Sequence, residues 1–477
     1  MKGRARLIAL PLALLALCAL FFLVERRPGL FANARFLGAI LAFQIAIIGL
    51  SHFEEVFFPL LMVSFLWAGS MVPFYAVGMS LRWLFLAVGA LGGFVIWIKT
   101  PRVQHFRAFH LVALFCIVSA LVSALVSEVP KTALLKVLSL FLLFLYASSG
   151  ARLAIAGRER RFLSSLVLAC EVLVYVSAVF YYVLGNAVFG NPNALGAIIG
   201  VAVVPVLLWA AITAETRGLR QRRFVALALC GSLLYVANSR ASILGAVAVI
   251  VIFTVALRRQ RLLLQCAFLS FFFLTLMAVL NPSHTEELVS SFTGRVVFKD
   301  AGTHQGVFGS RMSPWSDTLA VVKRHPWFGS GFGTSELGDL RPQTGSSFYT
   351  VEGTNREHGN SYFALAEYMG LLGAVPFVVL IILLIRILVR VYSWIRRTGN
   401  PYHPCIPFAL ITTAGLLHAC FEDWLFAVGS YLCVFLWLSA FMLMDLVPVI
   451  EAERSTLVVR RQSVVAARAA AVAPSLR

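Results

Sequence analysis

The residues best suited to chemistry gather in one stretch, Arg356-Glu-His-Gly-Asn360-Ser-Tyr-Phe-Ala-Leu-Ala-Glu367-Tyr-Met-Gly370-Leu-Leu-Gly373, which closes a long polar interruption from Asn281 to Asn360. His358 lies just ahead of Asn360 and Ser361, either of which can cap a helix that begins there. The positive end of that helix dipole disfavours an imidazolium, so the spacing predicts a neutral ring able to act as a base. The same exposed amides suit an anionic group such as a diphosphate. A loop histidine hydrogen-bonded to backbone is the equally simple alternative. Glu367 falls two turns beyond Asn360 on the same face, about 10 Å further along the helix. A carboxylate at that depth needs a partner or a proton, and Arg240 and Arg311 are the expected cations. Their guanidinium forks match phosphate oxygens two at a time and keep their protons. As plain interfacial arginines they would instead reach lipid headgroups. Glu422 and Asp423, at the end of a later apolar run, either bind sugar hydroxyls or mark a turn, and Glu171, inside another run, reads as a structural hydrogen-bonding group.

Other chemistries find little support. His284, Asp300, His304, His325 and His358 show no i, i+4 pairing or other ligand spacing, so no metal and no cofactor is expected. No G-x-S-x-G elbow marks a serine hydrolase. Gly329, Gly331 and Gly333 form a G-x-G-x-G run, but it neither follows a strand nor opens a helix. A flexible turn is expected there, with backbone amides free to approach a phosphate. The 8 cysteines lie in or beside apolar runs, which excludes a disulfide framework in the polar stretch.

What must position these groups is a membrane bundle. Hydrophobic residues make up 60% of the chain and charged residues 13%, with a mean hydropathy of +0.88, which no soluble domain of this size carries on its surface. Apolar runs of helical length recur without the alternation of a membrane barrel. The expected fold is all-α, a polytopic integral membrane protein of about 12–14 transmembrane helices with one long loop on the outer side. The runs are 7–24, 35–50, 56–72, 82–98, 108–126, 133–149, 162–185, 194–214, 224–237, 241–257, 262–280, 361–385, 404–421 and 424–447. The net charge of +19 sits in connectors such as Arg152, Arg158, Arg160 and Arg161, or Arg217, Arg220, Arg222 and Arg223. That alternation is the positive-inside pattern and argues against a nucleic-acid partner.

With those connectors cytoplasmic, the long loop, the 190–193 connector and the Asn238-Ser239-Arg240 turn face outward, and both termini lie inside. Glu54 and Glu55 then form a solvated inner connector; were an early run not to span, they would move outward and offer an acidic pair. Residues 1–34 share features with a signal peptide, but Arg26 and Arg27 interrupt that plan and a retained first helix is expected. Within the loop, Ser313-Pro314 predicts the cap and first residue of a helix stopped by Pro326, with Trp315, Leu319 and Val322 on one face and Arg311 just ahead of the cap. Five segments follow: N-terminal helices 1–185, further helices 186–280, the loop domain 281–360, C-terminal helices 361–447 and a basic tail 448–477. No internal repeat is visible, which counts against an inverted-repeat transporter.

The chain resembles the bacterial O-antigen ligase and polymerase superfamily, membrane enzymes that transfer glycans from undecaprenyl diphosphate on the periplasmic side. Four stretches carry the resemblance in the family's order. They are Asn191-Pro192-Asn193-Ala194-Leu195-Gly196; Asn238-Ser239-Arg240-Ala241-Ser242; Ser310-Arg311 through Trp315 to His325-Pro326-Trp327-Phe328-Gly329-Ser330-Gly331-Phe332-Gly333; and His358 through Glu367 to Gly373. The resemblance implies a GT-C-like, metal-independent glycosyltransferase of the inner membrane. Arg240 and Arg311 would engage the lipid-linked diphosphate, and His358 would deprotonate the acceptor hydroxyl. Asn193, Asn360 and Glu367, within these stretches, become supporting groups. In the family's common form the histidine and asparagine are adjacent, whereas Gly359 separates them here. Either His358 is the base on a loop one residue longer, or Glu357 shares the task. The implied partners are an undecaprenyl-diphosphate-linked glycan donor, a lipid A-core or growing-glycan acceptor, and the surrounding membrane lipids. A polysaccharide polymerase, a protein O-glycosylating enzyme and a lipid or polysaccharide transporter are the alternatives.

Overall fold

A computed structural model describes residues 34–71, 75–100, 107–186, 188–189, 191–294, 309–337 and 356–447. The expected first span at 7–24, Gly190, Asp300, His304 and the basic tail lie outside the described residues. Every regular element among the described residues is helical. In order they are α1 Ala34–Ser51, α2 Phe58–Ala68, α3 Tyr75–Ile98, α4 Ala108–Leu125, α5 Pro130–Ile155, α6 Glu159–Val183, α7 Pro192–Ile212 and α8 Arg217–Val236. Then come α9 Arg240–Ala256, α10 Gln260–Leu280, α11 Pro282–Phe292, α12 Gly309–Arg324, α13 Ser361–Thr398, α14 Cys405–His418 and α15 Tyr431–Val447.

Among the described residues 7 helices are long and apolar enough to cross a bilayer, or 8 when α1 and α2, bent by 119°, are counted as one span. The helices α9, α14 and α15 are apolar but shorter. The chain is a multi-pass membrane protein, because helices apolar on all sides have no place for their surface in water. The α1–α2 bend falls at a turn of π-helix, Phe53–Phe57, that carries Glu54 and Glu55. Both carboxylates pair with Arg158, and Glu55 also with Arg161, so the acidic pair shares an end of the bundle with the arginine connector. Glu171 is buried and pairs with Arg222 and Arg223 at the start of α8, the structural role its position suggested.

Helix α7 is the centre of the bundle, with 89% of its apolar window buried, and it packs on α8, α14 and α9. Helix α10 is the opposite case, with none of its window buried. Helix α13 packs along α4 and carries α12 against its first turns. It runs to Thr398, well past the end expected at residue 385, because Arg386, Arg390, Arg396 and Arg397 extend it beyond the apolar run and Gly399, at φ 68°, stops it.

One break in α13 was not legible as a helix end. At Gly370 the backbone takes φ 63° and ψ −175°, a region open essentially to glycine. A Cβ there would lie 2.5 Å from the carbonyl carbon of Trp327. The backbone groups freed by the break are paired across this contact: Leu371 N–H donates to Pro326 O at 2.7 Å, and Ser330 N–H to Glu367 O at 2.9 Å. Ser123 Oγ donates to Tyr368 O at 2.6 Å from α4. The glycine run 329–333 is therefore a buried turn packed on a helix break, and the Ser330 amide that might have met a phosphate is already committed.

Candidate functional site

The site is assembled where the first turn of α13 meets the turn between α14 and α15. Asn360 caps α13, its Oδ1 accepting from Tyr362 N–H at 2.8 Å and Phe363 N–H at 3.2 Å. Ser361 is left free to tie the two elements. Its N–H donates to Ala419 O at 2.9 Å, and its Oγ donates to Glu422 O and accepts from Trp424 N–H at 3.0 Å and Leu425 N–H at 3.1 Å. This knot fixes Glu422 and Asp423 opposite the segment from Arg356 to Gly359.

His358 is almost fully covered, its side chain 1% exposed. Asp423 Oδ2 accepts from the His358 backbone N–H at 2.8 Å and from Nδ1–H at 2.9 Å. One carboxylate oxygen thus sets both the loop and the tautomer, leaving Nε2 to carry the lone pair of a neutral ring. Nε2 lies 3.3 Å from Glu367 Oε1, near enough for an ion pair but not aligned as a hydrogen bond. Tyr368 packs edge-on against the ring at 5.0 Å between centroids. Burial lowers the affinity of the ring for a proton, but the hydrogen bond to Asp423 and the charges of Asp423 and Glu367 outweigh it, and the His358 pKa is raised. The helix dipole is therefore not the main influence on the ring, because two carboxylates this close act more strongly than a partial charge at the helix end.

Glu367 is fully buried, and its partner is neither Arg240 nor Arg311. Arg356 Nη1 donates to both of its oxygens, at 3.0 Å and 2.9 Å, and Ser335 Oγ donates to Oε1 at 2.5 Å. Arg356 Nη2 reaches Pro314 O at 3.2 Å and Thr318 Oγ1 at 3.0 Å, so the same guanidinium anchors α12. Sequence reasoning gave Arg356 no role. The signal was its place two residues before His358 in a segment too short to be helical, where alternate side chains share a side.

Arg311 sits within the first turn of α12, which begins at Gly309 rather than at a Ser313 cap. Pro314 lies inside the helix, in its second turn, where it lacks the backbone N–H that would bond the Ser310 carbonyl. The face turned to the protein carries Thr318 and Val321, with Trp315 packed on Phe363; Leu319 is exposed, against the face expected. Arg311 Nη1 donates to Glu357 Oε1 at 2.9 Å and Nη2 to Glu422 Oε1 at 2.7 Å. Burial raises the Glu422 pKa, against the pull of Arg311. Gly359 has φ 64°, and a Cβ on it would stand 2.7 Å from Arg311 Nη1. The glycine that separates His358 from Asn360 is thus the residue that lets the guanidinium lie over the loop.

Arg240 opens α9, and its charge and that of Arg311 are close enough to repel one another. The serines around it connect it to the same turn. Trp424 Nε1–H donates to His418 Nδ1 at 2.7 Å, which leaves His418 Nε2–H to donate to Ser242 Oγ at 3.1 Å, and Ser242 lies 2.6 Å from Ser239 Oγ. Asn193 is less involved: it lies in the first turn of α7, its N–H donating to Asn191 Oδ1 at 2.9 Å, and α7 meets α9 where Gly196 packs on Ser239. Glu422 and Asp423, expected to bind sugar hydroxyls or mark a turn, lie in the turn between α14 and α15 and hold Arg311 and His358. Among the described residues no group of three His, Cys, Asp or Glu side chains could hold a metal ion.

The arrangement can move a proton at a carboxylate-oriented imidazole and hold an anion between two guanidinium groups. Residues 224–378 match the model of a family described as O-antigen ligase. No curated protein matches the chain. The chain is therefore a multi-pass membrane protein in which residues 224–378 are similar to the O-antigen ligase family. The matched stretch holds Arg240, Arg311, Arg356, His358 and Glu367 but ends before Glu422 and Asp423, the carboxylates that orient two of them.

Proposed function

We propose that this protein transfers a glycan from undecaprenyl diphosphate to an acceptor hydroxyl at the periplasmic face of the inner membrane, joining it to lipid A-core or extending a growing glycan. One observation supports this most: within the matched residues, an Asp-oriented histidine lies one residue from the glycine over which Arg311 is laid, with Arg240 in electrostatic reach. In this reading His358 Nε2 takes the acceptor proton, and the freed oxygen attacks the anomeric carbon from the face opposite the diphosphate. The carbon–oxygen bond to the diphosphate breaks, and the leaving anion is held by Arg240 and Arg311. Direct displacement inverts the anomeric centre, and NMR of the product linkage showing retention would refute that step. Both nitrogens of the Arg311 fork are occupied by carboxylates, so the diphosphate must displace Glu357, the more exposed of the two at 61% against 22%.

The test is transfer by purified protein given lipid-linked donor and acceptor. His358→Ala, Arg240→Ala and Arg311→Ala should each abolish transfer while the protein still folds. A fully active His358→Ala enzyme would remove the assignment, and unimpaired lipid translocation by that variant would favour a transporter. Surface glycans from a deletion strain separate the two acceptor classes, since unattached long chains mean a ligase and single repeats a polymerase. One observation favours a second assignment of the base: Glu357 is accessible where His358 is not. If Glu357 takes the proton, Glu357→Gln abolishes transfer and the pH profile of the wild type follows a carboxylate.

A further inference from the structure

A second concavity lies away from the candidate site, between α2 and α6, with α7 and α15 as its floor. Its volume is about 520 Å³, within the range of roughly 300–1,000 Å³ usual for small-molecule sites. The lining is mainly apolar, and its charged groups Glu54, Glu55, Arg158 and Arg161 gather at one end as the mouth. The rim residues Val63, Val172 and Val176 are exposed, so the cleft opens sideways toward lipid.

The mouth is at the end of the bundle opposite His358. Helix α15 starts at Tyr431, close behind Asp423, and near its other end Asp445 pairs with Arg152 at 2.6 Å. Arg152 lies in the last turns of α5, just ahead of the connector that carries Arg158, which places the charged mouth about 21 Å from the start of α15 along its axis. The cleft follows α6 from Phe162 to Val176, again about 21 Å, more than one leaflet of a hydrocarbon core about 30 Å thick.

We infer that this cleft binds one aminophospholipid of the phosphatidylethanolamine type, with an acyl chain between α2 and α6 and the headgroup among Glu54, Glu55, Arg158 and Arg161. The mouth carries both signs in adjacent pairs, which a zwitterion complements and a purely anionic head does not. The headgroup phosphate accepts from Arg158 and Arg161, and the primary ammonium donates to Glu54 and Glu55. The existing ion pairs leave room for this exchange: Arg161 is 74% exposed and meets Glu55 at only 3.4 Å. The occupant is not the glycan donor of the proposed reaction, whose charged end belongs at Arg311, at the other end of the bundle.

Native mass spectrometry of the full-length protein, exchanged into detergent with defined lipids, tests this. One phosphatidylethanolamine should be retained about tenfold more tightly than phosphatidylcholine, whose quaternary ammonium has no N–H to donate, and than anionic phosphatidylglycerol. The double variant Glu54→Gln, Glu55→Gln should lose the preference over phosphatidylcholine. Ala169→Trp, which fills the cleft from its exposed wall, should lose the retained lipid. Equal retention of the three lipids by the wild type, a preference for phosphatidylglycerol, or undiminished binding in Ala169→Trp would each overturn the inference.

Discussion

Replacing Asp423 by Asn tests the role of His358 most directly. The amide keeps an oxygen for the His358 backbone N–H and for Nδ1–H, so the loop geometry survives while the charge that raises the ring's pKa is removed. A hydrogen bond to a charged group contributes about 1.5–3 kcal/mol, more than a neutral one, so the His358 pKa should fall. A base works deprotonated, so the acid limb of the rate profile should move to lower pH while the plateau drops with the weaker base. The assay is the pH dependence of kcat for glycan transfer in wild type and variant. Loss of rate with an unmoved limb would refute the reasoning, since it would give Asp423 an orienting role only. The same charge makes a stability signature. The His358 pKa is raised on folding, so protonated His358 stabilises the fold fully below its unfolded value of about 6.5, and this is lost as pH rises through the raised folded value. The difference in melting temperature between wild type and His358→Gln should therefore shrink as pH rises.

Arg356→Met leaves Glu367 buried without its cation and should cost about 3–5 kcal/mol; thermal unfolding should show most of this restored by adding Glu367→Gln. Gly359→Ala forces a side chain into a left-handed backbone, costing about 1–2 kcal/mol, and pushes on Arg311, so the donor KM should rise more than kcat falls. Glu357→Gln weakens the carboxylate that the diphosphate must displace, and the donor KM should drop several-fold; complete loss of transfer would instead mark Glu357 as the base.

How far the sequence reached depended on whether a feature was local. The helix over α13, its Asn360 cap and the presence of His358 at its head all follow from neighbouring residues, and so does the membrane bundle. Asp423 could be singled out as a polar residue closing an apolar run, but its pairing with a histidine 65 positions away depends on the Ser361 knot, which no local pattern announces. The Gly370 break was hidden for a related reason. A glycine within an apolar run reads as tolerated helix, and only the tight approach of Trp327 and Phe328 shows why a side chain is forbidden there.

The same tertiary approach changes how the departure at Gly359 is understood. Taken from the sequence, the extra residue weakened the case for His358, since it separated the ring from the capping asparagine. In the fold it does two jobs that an adjacent pair could not do. It turns the chain through φ 64° so that His358 points back onto Asp423 while Asn360 still caps α13, and its bare Cα leaves the space that Arg311 fills. In the proposed reaction the glycine links proton transfer to anion binding, because a diphosphate that drew Arg311 away from Glu357 would act on the loop that carries His358. If the two are coupled in this way, Gly359→Ala should alter the pH profile of transfer as well as the donor KM, whereas a merely spacing glycine would leave the profile where it was.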